Sequence, residues 1–216
     1  MLLWLPRTIS RPEHIIEVAA RLLAALGYDA TSTKQIAEAA GVEPSVIDEL
    51  FGGRQELYVV VMERAFEQER LALESLLGDL RCVDAEDCAR AIHLLMDGHL
   101  DFVAANSYIH ALWTHRWLSD AMDVAEIEKR YSLPLLHMIL DVFQSAIDAG
   151  HLSPDADLEY ILYMSTWCIH GFALGGVPDE HGNLRNFTDE REWRRFRLRL
   201  HQMVHRTLML PGEYSP

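Results

Sequence analysis

The sequence predicts an all-α chain, and three observations carry that reading. Apolar residues recur at helical spacing almost throughout, as in Ile15, Ile16, Ala19, Leu22, Leu23 and Leu26. No sustained alternating stretch bounded by hairpin turns appears. Prolines and glycines fall mostly where helices would start or stop.

Pro12 and Gly27 bracket a first helix, Gly41 and Pro44 mark the next turn, and Gly52-Gly53 closes the third helix. Ser32 followed by Gln35 is a capping-box pattern that starts the second helix, because a hydroxyl and an amide can satisfy the orphan amides of a first turn. A long fourth helix runs from Arg54 to about Leu77, and "GDLRCVDAED" then forms a loop. Further helices are expected at about 85–104, 107–119, 123–149, 155–177 and 189–209. Pro134 falls inside the third of these and either kinks it or divides it. The total is roughly nine helices by this periodicity. Residues 175–190, "GGVPDEHGNLRNFTDE", are the one long polar, glycine-containing connection. The domain boundary is expected within the fourth helix, with residues 1–58 as one domain and 59–216 as the other.

At 216 residues, half of them hydrophobic, the chain can bury a sizeable core and is not disordered. Its formal net charge of −14 supplies no general attraction to phosphate, so any nucleic-acid role must come from a local surface. Cys82, Cys88 and Cys168 are odd in number and lack the paired short spacing of a zinc site or a disulfide framework, which suits a reducing compartment. "MLLWLP" is far shorter than a signal-peptide core, and no later run is long and apolar enough to span a membrane. The expected setting is soluble and cytoplasmic, with no membrane partner.

Residues 31–58, "TSTKQIAEAAGVEPSVIDELFGGRQELY", have the layout of a helix-turn-helix. Ile36, Ala37 and Ala40 would pack inward, Gly41 would make the turn, and Val42, Val46, Ile47 and Phe51 would hold the second helix of the pair. The longer string "IIEVAARLLAALGYDATSTKQIAEAAGV", followed by an apolar-rich helix and "LFGGRQELYVVVME", resembles the N-terminal domain of the TetR family of transcriptional regulators. The resemblance spans about residues 12–63, and the rest of the chain matches only in helical layout and length. It implies a homodimer whose paired N-terminal domains bind a palindromic double-stranded DNA operator, with a small-molecule effector in the C-terminal domain. The phosphate contacts it implies come from Thr31, Ser32, Lys34 and Arg54, and the recognition helix presents Pro44, Ser45, Asp48 and Glu49.

That recognition helix departs from the family pattern. Where the family usually has a Ser or Thr cap followed by a basic or small residue and Gly, this chain has Glu43, Pro44 and Ser45; where it usually has Tyr and then Tyr or His, it has Asp48 and Glu49. Residues 1–60 carry Arg7, Arg11, Arg21, Lys34 and Arg54 against Glu13, Glu17, Asp29, Glu38, Glu43, Asp48, Glu49 and Glu56, a formal −3. Non-specific affinity is therefore expected to be weak. A carboxylate can still accept from a cytosine N4 amine, so Asp48 or Glu49 can read a base; on the plainer reading they lie on a solvated face. Arg7 and Arg11 could offset the deficit from an N-terminal arm.

The C-terminal part is dense in His and aromatic residues between His93 and Trp117. Trp113, Trp117, Met138, Phe143, Trp167, His170 and Phe172 are the expected walls of an apolar effector pocket, although each also suits a core. No metal is expected: His110 and His115 are five apart, His93 and His99 six apart, and His201 and His205, at i,i+4, lack a carboxylate at helical spacing downstream. No cofactor and no catalytic residue is expected, since there is no phosphate loop, nucleophile elbow or Cys-His pairing. The chain is thus read as a non-enzyme. Seven arginines between 185 and 206, interleaved with Trp193, Phe196, Leu198, Leu200 and Val204, suit an amphipathic helix in a dimer interface better than a DNA contact. The resulting expectation is a TetR-like homodimeric regulator, a repressor released by a small apolar or aromatic ligand. The alternative is a ligand-binding or interaction dimer that keeps the fold and has lost operator recognition.

Overall fold

A computed structural model of the protein describes residues 10–118, 120–153, 155 and 157–214. Among them the chain forms nine α-helices: α1 (Arg11–Leu26), α2 (Thr33–Ala40), α3 (Pro44–Phe51), α4 (Arg54–Asp79), α5 (Ala85–Ala105), α6 (Ser107–Trp117), α7 (Leu133–Asp148), α8 (Leu158–Leu174) and α9 (Glu190–Thr207). A π-helical turn, Glu128–Ser132, precedes α7. The chain divides into two compact units: the residues through Ala65 together with Ala111–Ile127, and Phe66–His110 together with Glu128–Pro216. The first unit therefore reaches past the boundary expected at residue 58 and recruits a second, distant segment.

Two expected elements differ in detail. The helix expected over 123–149 is not continuous: turns follow Trp117, with Ala121 and Glu126 at positive φ, and regular α-helix starts only at Leu133. Pro134 sits in the first turn of α7, where its missing amide leaves no helical bond unmade. The polar connection after α8 contains a two-residue antiparallel hairpin, β1 (Val177–Pro178) and β2 (Leu184–Arg185), in which Val177 faces Arg185 and Pro178 faces Leu184. Gly176 permits it, because a Cβ there would lie 2.8 Å from the Arg185 carbonyl oxygen, and its φ is +70°.

In the first unit, α1 begins at Ser10, whose hydroxyl accepts from the Glu13 amide. The capping box of α2 forms as the sequence predicts: the Gln35 amide donates to Ser32 Oγ at 3.2 Å, and the Ser32 amide donates to Gln35 Oε1 at 2.8 Å. Ile15, Ala19, Leu23, Ile36, Ala37 and Ile47 are buried, each at its helical period, so the apolar faces of α1, α2 and α3 are covered. In the second unit, one apolar core collects Ile92, Leu95, Met96 and Leu100 of α5, Phe143 and Ala146 of α7, Leu162 and Ile169 of α8, and Leu200 and Val204 of α9. Cys82 and Cys88 form a disulfide at the start of α5. This corrects the sequence reading that the three cysteines lack the spacing of a disulfide framework; the Asp84-capped turn brings together two thiols that spacing alone did not mark.

Candidate nucleic-acid interface and effector site

The helix-turn-helix is built from α2 and α3. Gly41 ends α2 in the left-handed conformation (φ 66°), donating to the Ala37 and Glu38 carbonyls, which turns the chain within three residues into Pro44. On α3, Ile47 is wholly buried, while Pro44, Ser45, Asp48 and Glu49 are all exposed and share one face by helical spacing. Glu43 occupies the N-cap position without making a side-chain cap bond. The face available to a ligand is therefore acidic, and Glu56, whose carboxylate lies beside Gly53, adds to it.

The four expected phosphate contacts separate into two pairs. Ser32 and Lys34 are exposed at the start of α2. Thr31 is fully buried, and its hydroxyl donates to the Gly27 carbonyl at 2.6 Å, so it ties the α1–α2 connector and presents no donor to phosphate. Arg54 Nη1 donates to the carbonyls of Tyr28 (2.9 Å) and Thr31 (2.7 Å), and its guanidinium lies 3.9 Å from the centre of the Tyr28 ring. Arg54 thus braces the same connector while staying partly exposed. Arg11 is exposed at the start of α1, and Arg7 lies outside the described residues.

Sequence reasoning missed a clasp on this connector. Asp120 accepts from the amides of Tyr28 and Asp29, the latter at 2.8 Å, and His115 Nε2 pairs with the Ala24 carbonyl at 3.1 Å. A Cβ on Gly27 would sit 3.0 Å from Asp120 Oδ2 and 3.1 Å from His115 Nδ1, so glycine is required for this approach as well as for its φ of +81°. A separation of more than ninety residues carries no local signal in sequence.

The seven expected wall residues are divided between the two units. Trp113 and Trp117 stack on each other (6.4 Å between ring centres) in the first unit. In the second unit, Phe143 is fully buried in the core and Met138 is half-buried on α7. Phe172 stacks flat on Phe196 of α9 at 4.2 Å, with Trp193 beside both. Trp167 is 48% exposed on the outer face of α8. Only His170 belongs to a polar cluster inside the unit: its Nε2 pairs with His110 Nδ1 at 3.1 Å, and His99 lies edge-on to it at 5.8 Å.

Burial, followed by mutual repulsion, keeps these imidazoles neutral. It pushes His110 to about 3 and His170 to about 2, and burial alone pushes His99 to about 4. His110 Nε2 and the Ser165 hydroxyl are buried with no hydrogen-bond partner among the described residues.

Residues 15–61 match the bacterial regulatory proteins of the tetR family. The match runs from α1 to the first turns of α4. Solved structures of similar fold extend the likeness to both units. The fatty acid degradation regulator FadR from Bacillus halodurans superposes with a TM-score of 0.65 at 13% identity, covering 92% of this chain and 96% of that one. AibR, solved with isovaleryl coenzyme A and operator DNA, gives 0.68 at 18% identity over 95% of this chain and 100% of its own. The ketosteroid transcriptional regulator KstR2 of Mycobacterium tuberculosis gives 0.62 at 17% identity over 90% and 95%. At these identities the likeness is one of fold. A comparison with curated proteins found no match. No helix among the described residues is long and apolar enough to cross a membrane.

Proposed function

We propose that this chain is a member of the tetR family, a homodimeric repressor that reads a palindromic operator through α3 and releases it when a small apolar molecule binds the second unit. The observation that carries the reading is the exposed face of α3, where Pro44, Ser45, Asp48 and Glu49 stand clear of the bundle in the segment that matches the family. Ser32, Lys34 and the amides opening α2 supply the positioning contacts to phosphate. Homodimerisation uses the outer face of α8, where Tyr160, Tyr163, Met164, Trp167 and Leu174 form an exposed apolar stripe, with Met203 of α9 also exposed. The effector's polar group meets His110 Nε2 or the Ser165 hydroxyl. AibR, solved with isovaleryl coenzyme A and operator DNA, supports pairing a small-molecule effector with an operator. Release follows only if that molecule binds the DNA-free arrangement more tightly than the DNA-bound one.

One observation favours a second reading. The α3 face offers carboxylates and no cation, which suits a dimer that binds ligand or protein and no longer binds an operator. Anisotropy with the protein's own upstream DNA, across a salt series, separates the two. Tight, sequence-selective binding that a D48N/E49Q variant loses or redirects supports operator reading by these carboxylates. Binding gained only by the variant supports the second reading.

A further inference from the structure

The second unit contains another histidine cluster, in which every ring nitrogen is engaged. His93 lies on α5, and His201 and His205, the i,i+4 pair, lie on α9. His201 Nε2 pairs with Asp97 Oδ1 at 2.9 Å, and His201 Nδ1 meets His93 Nδ1 at 2.8 Å. His93 Nε2 meets His205 Nδ1 at 3.0 Å, and His205 Nε2 pairs with the Gly212 carbonyl at 3.1 Å. The groups form a chain running Asp97, His201, His93, His205, Gly212. It is a line of contacts with no point at which the free lone pairs converge, so it is not a cage for a metal ion.

Counting protons decides its state. Both ends of the chain, a carboxylate and a carbonyl, only accept, so its four hydrogen bonds need four N–H groups. Three neutral imidazoles supply three. The set is complete only when the trio carries one additional proton, with His93 donating from both nitrogens. The surrounding charge allows this: Arg197 Nη1 pairs with Asp97 at 2.9 Å and its Nη2 pairs with Asp101, so two carboxylates face one guanidinium and leave one negative charge to balance.

When that proton leaves to solvent, the three remaining N–H groups avoid an internal clash of lone pairs by all pointing toward Asp97. His201 then donates to Asp97, His93 donates to His201, and His205 donates from Nδ1 to His93. The missing bond falls at the other end, where His205 Nε2 and the Gly212 oxygen become two acceptors facing each other. The charged carboxylate keeps its donor because it is the stronger acceptor.

We propose that His93, His201 and His205 share one additional proton that latches the segment Leu210–Tyr214 onto α5 and α9, and that the latch opens as pH rises. Tyr214 belongs to the latched segment: its ring packs 4.4 Å from His93 and stacks on His201 at 4.7 Å. The titratable and charged groups acting on the trio are Asp97 and Asp101 from α5, Arg197 from α9 and Tyr214 from the tail. Burial, then the neighbouring imidazoles, pull His93 down to about 4 against the upward push of Asp97. The fourth bond, made only by the charged trio, raises proton affinity by roughly tenfold or more, and the titration belongs to the three rings together.

The test uses the full-length protein labelled with ring-15N histidine and titrated by NMR from pH 5 to 8.5, with single His→Gln variants for assignment. The expected result is one protonation step with its midpoint above about pH 5, both His93 nitrogens protonated below it, and His205 changing tautomer from Nε2–H to Nδ1–H above it. Asp97→Asn should lower that midpoint by about one pH unit or more. Release of the segment, read as amide hydrogen exchange at Leu210–Tyr214 normalised to a free peptide of the same sequence at each pH, should accelerate several-fold through the same midpoint, and His93→Gln should remove that excess pH dependence. A His93 that stays neutral down to pH 5 overturns the shared proton. A step at the trio with release flat across it overturns the latch.

Discussion

Lowering the pH from 7.5 to 5.0 should destabilise the fold by about 4 kcal/mol through His110 and His170 alone. Both are almost fully buried, at 1% and 3% exposure, and burial followed by neighbouring imidazoles holds both far below the ordinary value, His110 at about 3. In the unfolded chain each titrates near 6.5 and gains a proton across this range, whereas the folded protein stays neutral. The unfolded state therefore binds more protons, and stability present above pH 6.5 is lost as pH falls toward the folded values. Each ring contributes about 2 kcal/mol between pH 7.5 and 5.0, a large share of a typical 5–15 kcal/mol. Urea unfolding followed by circular dichroism, at fixed protein concentration and ionic strength, measures the loss. The double variant H110Q/H170Q, which keeps polar groups that do not titrate, should show a pH dependence shallower by about 4 kcal/mol over the same range. Equal pH dependence in the two proteins would mean that the rings titrate as they do in water, and would refute the buried neutral pair.

Other substitutions probe the connector and the outer face of α8. Arg54→Ala removes two hydrogen bonds to carbonyls and should cost about 2–3 kcal/mol in urea unfolding, which makes Lys34→Ala the cleaner probe of DNA contact. Asp120→Ala leaves the Tyr28 and Asp29 amides without their acceptor and should lower stability by about 1–3 kcal/mol, read as a fall in the urea midpoint. Trp167→Glu places a charge in the middle of the apolar stripe and should shift sedimentation equilibrium from dimer toward monomer with little change in helicity; an unchanged dimer would remove α8 from the proposed interface.

Local chemistry was legible in the sequence, and long-range chemistry was not. The helices, the Ser32–Gln35 capping box and the Gly41 turn depend on residues within four positions of one another, so their spacing records them. Pro134 was legible as a punctuation mark, though the choice between a kink and a division was not. The roles of Thr31 and Arg54 could not be read, because a hydroxyl or guanidinium suited to phosphate suits a backbone carbonyl equally well, and only the packing around Tyr28 decides. The same holds for Asp120 and for Asp97, the carboxylate that the sequence reading sought downstream of His205 and that α5 supplies from about a hundred residues away. Trp167 and Phe143, both large and apolar, look alike in sequence, yet one is 48% exposed and the other fully buried.

The inward turn of Thr31 and Arg54 bears on how DNA would be held. With the Thr31 hydroxyl and one Arg54 nitrogen committed to carbonyls, Lys34 and Arg11 are the exposed cations nearest the starts of α2 and α1, while Glu43, Asp48 and Glu49 face outward from α3. Counterion release scales with the phosphates neutralised, about −0.9 per contact on a log–log salt plot. Two cations from each of two subunits predict a slope of about −4 or shallower, less than regulators making many phosphate contacts show. Binding that is both selective and weakly salt-dependent would place the affinity in base-edge contacts from Ser45, Asp48 and Glu49, since phosphate attraction could not supply it. A slope near −8 would defeat this reasoning, because it would require cations beyond those that the described face presents, with Arg7 the first to be tested by substitution.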